Sequence, residues 1–418
     1  MMIHRKCLCI LWCLVVALGA AGTCLGQSRE KHNGPHYDVA AFYWPDYHDE
    51  PRLEFIFGDR KGEWQTIYNA VAKDSLERQP RVPLWGYQDE SDPKVMDRKI
   101  HAAVTHGVNT FIFDWYWYDN KPLLESCLDS GFLPANHDRM KFYIMWANHD
   151  ATSYWDPRMA DKGKVYWTGR VDAATFHTIE ERVIDKYFSQ PSYYKIDGKP
   201  VFSIYELTNF IKGLGGPEAA RNALDEFRRR TVQAGFPGLY LQAILWSAVP
   251  DTLTVAGLGV LDTQDKILKY FGFNSFTNYT WAHLENPSGD YEKWGDASVA
   301  VWKRYRDSFS IPYNPQVSAS WDPNPRFPFK TGYITDATPA KFRKYLMDAK
   351  RYVDSHPNEP PLITINAWNE WSEGSYLEPD TLYRMGYLDA VRAVFGGEIG
   401  RASCRAECRS RWSLYPFQ

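Results

Sequence analysis

Between residues 37 and 395 the apolar positions follow two alternating rhythms. Short β-branched and aromatic runs predict strands at 38–43, 110–113, 141–145, 200–204, 239–245, 275–279, 316–319 and 362–366. Helical patterns predict helices over 94–106, 123–130, 175–188, 218–233, 291–308, 340–355 and 381–394. Near-continuous apolar strands alternating with amphipathic helices imply parallel strands joined by helical crossovers. No linker, charge run, low-complexity segment or repeat divides this stretch. The expectation is a single α/β domain over 37–397, a (β/α)8 TIM-type barrel with loop insertions. A doubly wound open sheet has the same strand count and stays open as the alternative.

The residues that follow each strand favour the barrel, because in that fold they share one rim, where active sites are built. Trp44 follows the first strand, Asp114 to Trp117 the second, and Trp146, Asn148 and His149 the third. Tyr205 and Glu206 follow the fourth, Trp246 the fifth, Tyr279 and Trp281 the sixth, Trp321 and Asp322 the seventh, and Trp368 to Glu370 the eighth. Aromatic faces interleaved with polar groups suit sugars, whose C–H faces stack while their hydroxyls need hydrogen bonds. The candidate substrate contacts are Tyr43, Trp44, His48, Asp114, Trp115, Trp117, Trp146, Asn148, His149, Glu206, Trp246, Trp321, Asn366, Trp368, Asn369 and Trp371.

Composition narrows the classes. With 16% aromatic residues the 418-residue chain is globular rather than disordered. Residues 1–26 carry His4, Arg5 and Lys6, then an apolar run and small residues before Gly26, the pattern of a secretory leader. A secreted or periplasmic location is expected; a lipid anchor at Cys24, which would make a cell-surface lipoprotein, is the alternative. From Glu398 the basic, cysteine-bearing text EIGRASCRAECRSRWSLYPFQ resembles a translated sequencing adaptor and is expected not to be native. Setting both ends aside leaves Cys127 as the body's one cysteine, so no disulfide is expected. It also moves the net charge from −3 to near −7, which argues against a nucleic-acid partner.

The densest chemistry lies in residues 362–380, LITINAWNEWSEGSYLEPD. Glu370 and Glu373 follow an apolar strand in a turn that carries Trp and Gly. If that turn is helical, the spacing of three puts both carboxylates on one face. Such a pair, one protonated and one ionised, is the equipment of glycoside hydrolysis, at a separation of roughly 5–5.5 Å in retaining enzymes and about 6.5–9.5 Å in inverting ones. A solvated acidic loop is the plain alternative.

The string Asn369-Glu370-Trp371-Ser372-Glu373-Gly374 resembles the N-E-W-H-E-G motif of glycoside hydrolase family 99, and Trp368 to Asp380 is closer still to the family 99-like, WbsX-like proteins. Tyr43, Pro45 and His48 resemble that group's opening Y-L-P-Q-F-H, and Gly86-Tyr87, Asp92-Pro93, His106-Gly107 and Phe113 to Trp117 resemble its second-strand region. The resemblance implies a glycosidase on a (β/α)8 barrel with neither metal nor cofactor. Within it Glu370 would be the base that takes a proton from the sugar 2-hydroxyl, through a 1,2-anhydro intermediate, and Glu373 the general acid/base. A covalent glycosyl-enzyme on Glu370 is the other route. Two residues depart from the pattern. Ser372 stands for His, which implies an altered substrate contact, and His149 stands for Glu in the W-A-N-E-N that Trp146 to His149 resembles.

Three readings compete. A secreted glycoside hydrolase is the main one. A glycosyltransferase would follow the WbsX-like label, but the chain has no D-x-D, P-loop or G-x-G-x-x-G after a strand. A barrel that binds carbohydrate without cleaving it would follow from Ser372 and His149. Zinc hydrolysis is disfavoured, since no H-E-x-x-H occurs. The expected partner is a carbohydrate, with no nucleic acid, no membrane contact beyond an anchor at Cys24, and a monomeric state.

Overall fold

The eight strands assemble in the order in which they occur along the chain. The computed structural model describes residues 37–396 except 59, 330 and 331. Strands β1 (Asp38–Tyr43), β2 (Thr110–Tyr118), β3 (Lys141–Trp146), β4 (Lys199–Ile204), β5 (Tyr240–Ile244), β6 (Ser275–Thr277), β7 (Gln316–Ser318) and β8 (Leu362–Asn366) form one parallel series. β8 pairs back onto β1, with Val39 opposite Ile363. The last seam is bridged just before β7, where Tyr313 pairs with Phe276 and the Asn314 N–H donates to the Phe276 carbonyl at 2.9 Å. This ring is a (β/α)8 barrel and excludes the open sheet, whose edge strands would each lack a neighbour.

Alternate strands fill the barrel in layers. Tyr143 of β3 donates to Gln242 of β5 at 3.0 Å, and Gln242 donates to Asn314 beside β7 at 2.9 Å. In the other set, the hydroxyls of Thr277 on β6 and Thr364 on β8 lie 2.7 Å apart. These buried polar groups satisfy one another, so the interior tolerates amides and hydroxyls among its apolar residues.

The crossover helices begin where the sequence caps them. Asp92 accepts from the Lys94 N–H at 2.8 Å ahead of Pro93–Thr105, and Thr338 caps Pro339–Asp354; both helices have Pro in the first turn, where its missing N–H costs nothing. Tyr291–Ser308 starts behind Asp290 as expected. The predicted helix 175–188 is Ala173–Arg182 running into a π-turn, Val183–Phe188. The predicted helix 123–130 is a π-turn, Cys127–Phe132, leading into Leu133–Asn136. The last helix starts later than expected, at Gly386, because the chain before it turns on Asp380, whose carbonyl accepts from the Arg384 N–H at 3.0 Å. Leu207–Gly213 and Gln264–Tyr270 are helices too short for their periodicity to show.

β2 runs five residues beyond its predicted end and pairs there with Lys121–Leu123. That extension decides which of its aromatic residues face the barrel mouth. The expected leader (1–26), its lipidation alternative at Cys24 and the adaptor-like tail from 398 lie outside the described residues. Within them, Cys127 is buried and no helix is long and apolar enough to cross a membrane.

Candidate active site

After β8 the chain makes a narrow hairpin. Asn369–Glu370 pairs antiparallel with Ser375–Tyr376, and a 3₁₀ turn, Trp371–Glu373, joins them. Gly374 closes the turn at φ 66°, and a Cβ there would lie 2.8 Å from the Asp322 side chain and 2.9 Å from that of Arg81, so only glycine fits. A 3₁₀ turn has three residues per turn, so positions three apart eclipse. Glu370, which enters the turn, and Glu373, which ends it, both border a cavity of about 400 Å³ at the C-terminal rim of the barrel.

Arg326, from the loop after β7, joins the two acids. Its Nη1 lies 3.1 Å from Glu373 Oε1 and 3.7 Å from Glu370 Oε1, so the carboxylates are separated by no more than those two contacts end to end. Its Nε and Nη2 both donate to Glu63, the latter at 2.8 Å, and the guanidinium lies over Trp44, 4.8 Å from the ring centre. Ser372, between the two acids, donates its hydroxyl to Glu63 Oε2 at 2.9 Å and is buried. The serine that stands at the motif's histidine position thus meets Glu63 inside the protein and not the cavity.

Burial differs between the acids. Burial pushes Glu370 well above the ordinary glutamate range; Arg326 pulls it back, while Glu373, Glu63 and Asp114 add to the rise. The Glu370 side chain is 3% exposed and that of Glu373 16%. Opposite them, Tyr279 donates its hydroxyl to Asp114 Oδ2 at 2.8 Å and lies 3.5 Å from Glu370 Oε1. Burial raises Asp114 as well, and its Oδ1 has no protein partner. Glu206 is pushed up to about 7, mainly by burial and then by Asp150, whereas burial lowers His149.

Seven sequence-selected residues border the cavity: Trp44, Asp114, His149, Glu206, Trp246, Glu370 and Glu373. The strand alternation of the extended β2 turns Asp114 and Tyr116 inward and sends Trp115 and Trp117 to the helix side, where Trp115 Nε1 donates to Glu125 at 2.8 Å. Tyr43 stacks on Phe113 and donates to Met96, Trp146 stacks on Phe176, and Trp368 packs against Phe111. These rings lie in the apolar packing around the barrel. Trp371 stacks on Tyr376 at 3.7 Å and donates to Glu378 at 2.9 Å, so neither motif tryptophan walls the acids. His48, Trp321 and Asn366 also lie off the cavity. Asn148 and Asn369 work on backbone: Asn148 accepts from the Glu206 N–H at 2.7 Å and donates to its carbonyl at 2.8 Å, and Asn369 does the same for Trp44.

Other residues complete the wall. Tyr116, Tyr205 and Tyr279 are among the residues that follow strands, and carrying the alternation of β2 past Phe113 singles out Tyr116 from its segment. Trp155 comes from a short hairpin inserted after β3 and Arg326 from the loop after β7, while Glu63, on the loop after β1, stands behind Arg326 and off the cavity. No local sequence signal marks these three; only the fold brings them to the acids.

Fold and site together define a (β/α)8-barrel protein with a carboxylate-lined cavity at its C-terminal rim. Residues 39–391 match the family described as Glycosyltransferase WbsX, and the chain belongs to that family. It is 25% identical over 363 residues to the protein named WxcX of Xanthomonas campestris pv. campestris, covering 85% of this chain and 49% of that one. It is 21% identical over 326 residues to mouse glycoprotein endo-alpha-1,2-mannosidase, covering 73% and 59% respectively. The chain spans about half the length of these curated relatives. The GH99 endo-alpha-mannosidase of Bacteroides thetaiotaomicron superimposes with a TM-score of 0.51 at 14% identity over 88% of this chain and 98% of that one. A structure described as a glycoside hydrolase-like protein gives 0.55 at 16% identity over 87% and 94%. The family resemblance carried by residues 369–374 is thereby confirmed, and so is the barrel.

Proposed function

We propose that the chain is a glycoside hydrolase that cleaves glycosidic bonds of an oligo- or polysaccharide with retention of configuration, using Glu370 and Glu373. The observation that carries this reading is one arginine nitrogen in contact with both carboxylates at an aromatic-walled cavity. Trp44, Trp155 and Trp246 border the cavity as aromatic surface for sugar C–H groups, while Asp114, Glu206 and His149 offer polar partners to hydroxyls. The names of the mouse and Bacteroides relatives make α-mannosides the first substrates to test.

In the proposed reaction Glu370, ionised, takes the proton of the sugar 2-hydroxyl, and O2 displaces the leaving group at C1. Glu373 gives its proton to the departing glycosidic oxygen. The ionised Glu373 then deprotonates water, which opens the 1,2-anhydro ring at C1, and Glu370 returns its proton to O2. One bond is hydrolysed, one water is consumed, and two inversions give retention. The raised affinity of Glu370 for a proton makes it a stronger base once ionised, as removing a hydroxyl proton requires.

The family's description as a glycosyltransferase motivates a second reading. A donor such as a nucleotide diphosphate sugar would meet Asp114, Asp150, Glu206, Glu370 and Glu373 around one arginine already engaged by Glu63, a field that repels a diphosphate. A glycan screen followed by NMR of the product anomer tests the hydrolase, and a 2-deoxy substrate tests the 2-hydroxyl route. Heat protection by a nucleotide diphosphate, with no glycan cleaved, would instead support transfer.

A further inference from the structure

We propose that Glu63 is a positioning residue for the catalytic pair: it occupies the Nε–Nη2 edge of Arg326, so that Nη1 alone faces the acids, pairing with Glu373 through a single contact and holding neither acid bidentately. The inference rests on the hydrolase reading, since it assigns Glu63 to that same site. Glu63 does not border the cavity and its side chain is fully buried, so it acts through other residues and not on substrate. The loop that delivers it is tightly placed. The Glu63 N–H donates to the Asp46 carbonyl at 2.8 Å, and Gly62, at φ 61°, passes so close that a Cβ would lie 2.0 Å from that carbonyl oxygen.

An arginine with both edges open would pair bidentately with one carboxylate, the strongest arrangement available to it. That would hold Glu373 ionised and unable to protonate a leaving oxygen. With Glu63 on one edge, a single nitrogen serves two acids. Ser372 donates to the same Glu63, which ties the turn between the acids to the strut that spaces them.

The charged and titratable groups around Glu370 come from most of the rim. Glu373 lies on its own turn, Glu63 and Tyr47 on the segment after β1, and Asp114 and Tyr116 on β2. Tyr205 follows β4, Tyr279 follows β6, and Arg326 follows β7. Among them Glu63 and Arg326 act on Glu370 with opposite sign, so their removal must displace it in opposite directions.

The test measures the pH dependence of kcat/KM in Glu63→Gln and Arg326→Met, alongside the infrared carboxyl band of each, with the Glu370→Gln spectrum subtracted. Glu63→Gln turns the whole charge of Arg326 on the acids and should move both limbs and the band to lower pH by about 1 unit; Arg326→Met should move them up by a similar amount. Glu63→Asp, too short to reach both nitrogens and Ser372, should give a smaller shift in the Glu63→Gln direction if the glutamine variant does not fold. Shifts in the same direction in both variants, or none in either, overturn the positioning role. Opposite band shifts without glycan turnover in any form retain that role and remove the hydrolase reading.

Discussion

The Asn369 amide continues the β-ladder of the Trp44 backbone: it accepts from the Trp44 N–H at 2.8 Å and donates to the Trp44 carbonyl at 2.7 Å. Glu370 is the next residue, so the first acid is registered to the end of β1 by a side chain acting as an extra peptide. Asn369→Leu leaves a buried N–H and C=O unpaired. It should cost about 1–3 kcal/mol in urea unfolding and lower kcat more than it raises KM.

Glu370 ties stability to pH. An unfolded glutamate ionises near about 4.3, whereas burial keeps the folded one protonated to higher pH. Between those values the native state binds more protons, so the stability Glu370 supports is present in acid and is lost as pH rises through its folded value. Glu370→Gln removes that slope. Its unfolding free energy should exceed that of the wild type by a margin that grows above pH 5, at up to about 1.4 kcal/mol per pH unit, as urea unfolding across pH would show.

Lys99 is a buried cation between two acids. It pairs with Glu90 and lies 2.7 Å from Glu378 Oε1, while Glu90 accepts from Asn369 at 3.1 Å and Glu378 from Trp371. This cluster supports the catalytic turn from behind. Lys99→Met strands both acids and should cost about 3–5 kcal/mol in denaturant unfolding.

How much of this the sequence discloses follows from the periods involved. Eight strands, in their true order, were legible because buried parallel strands are nearly continuous apolar runs. The two acids were legible because they sit three apart after a strand. Trp115, Trp117, Trp146, Trp368 and Trp371 misled because residue type says nothing about which side of a strand or turn a ring takes. Trp115 differs from Asp114 only by the alternation of a strand five residues longer than its apolar run. Glu63 and Arg326 were invisible because a loop contact spanning 263 residues leaves no local pattern.

Glu206 should act as a titrating sugar contact. Its carboxyl is pushed up to about 7 and its backbone is held by Asn148. Ionised, it accepts from sugar hydroxyls with both oxygens, so KM should fall as pH rises through 7. That inflection should be absent in Glu206→Gln.

In the proposed reaction Glu370 and Glu373 together break a glycosidic bond. The most direct measurement incubates the full chain and its Glu370→Gln and Glu373→Gln variants with α-mannosides and a wider glycan panel, and follows product anomers by NMR. A retained anomer is expected from the wild type, with turnover reduced by at least about a thousandfold in each variant while glycan binding persists. Binding without cleavage by the wild type, or cleavage that survives both substitutions, would contradict it.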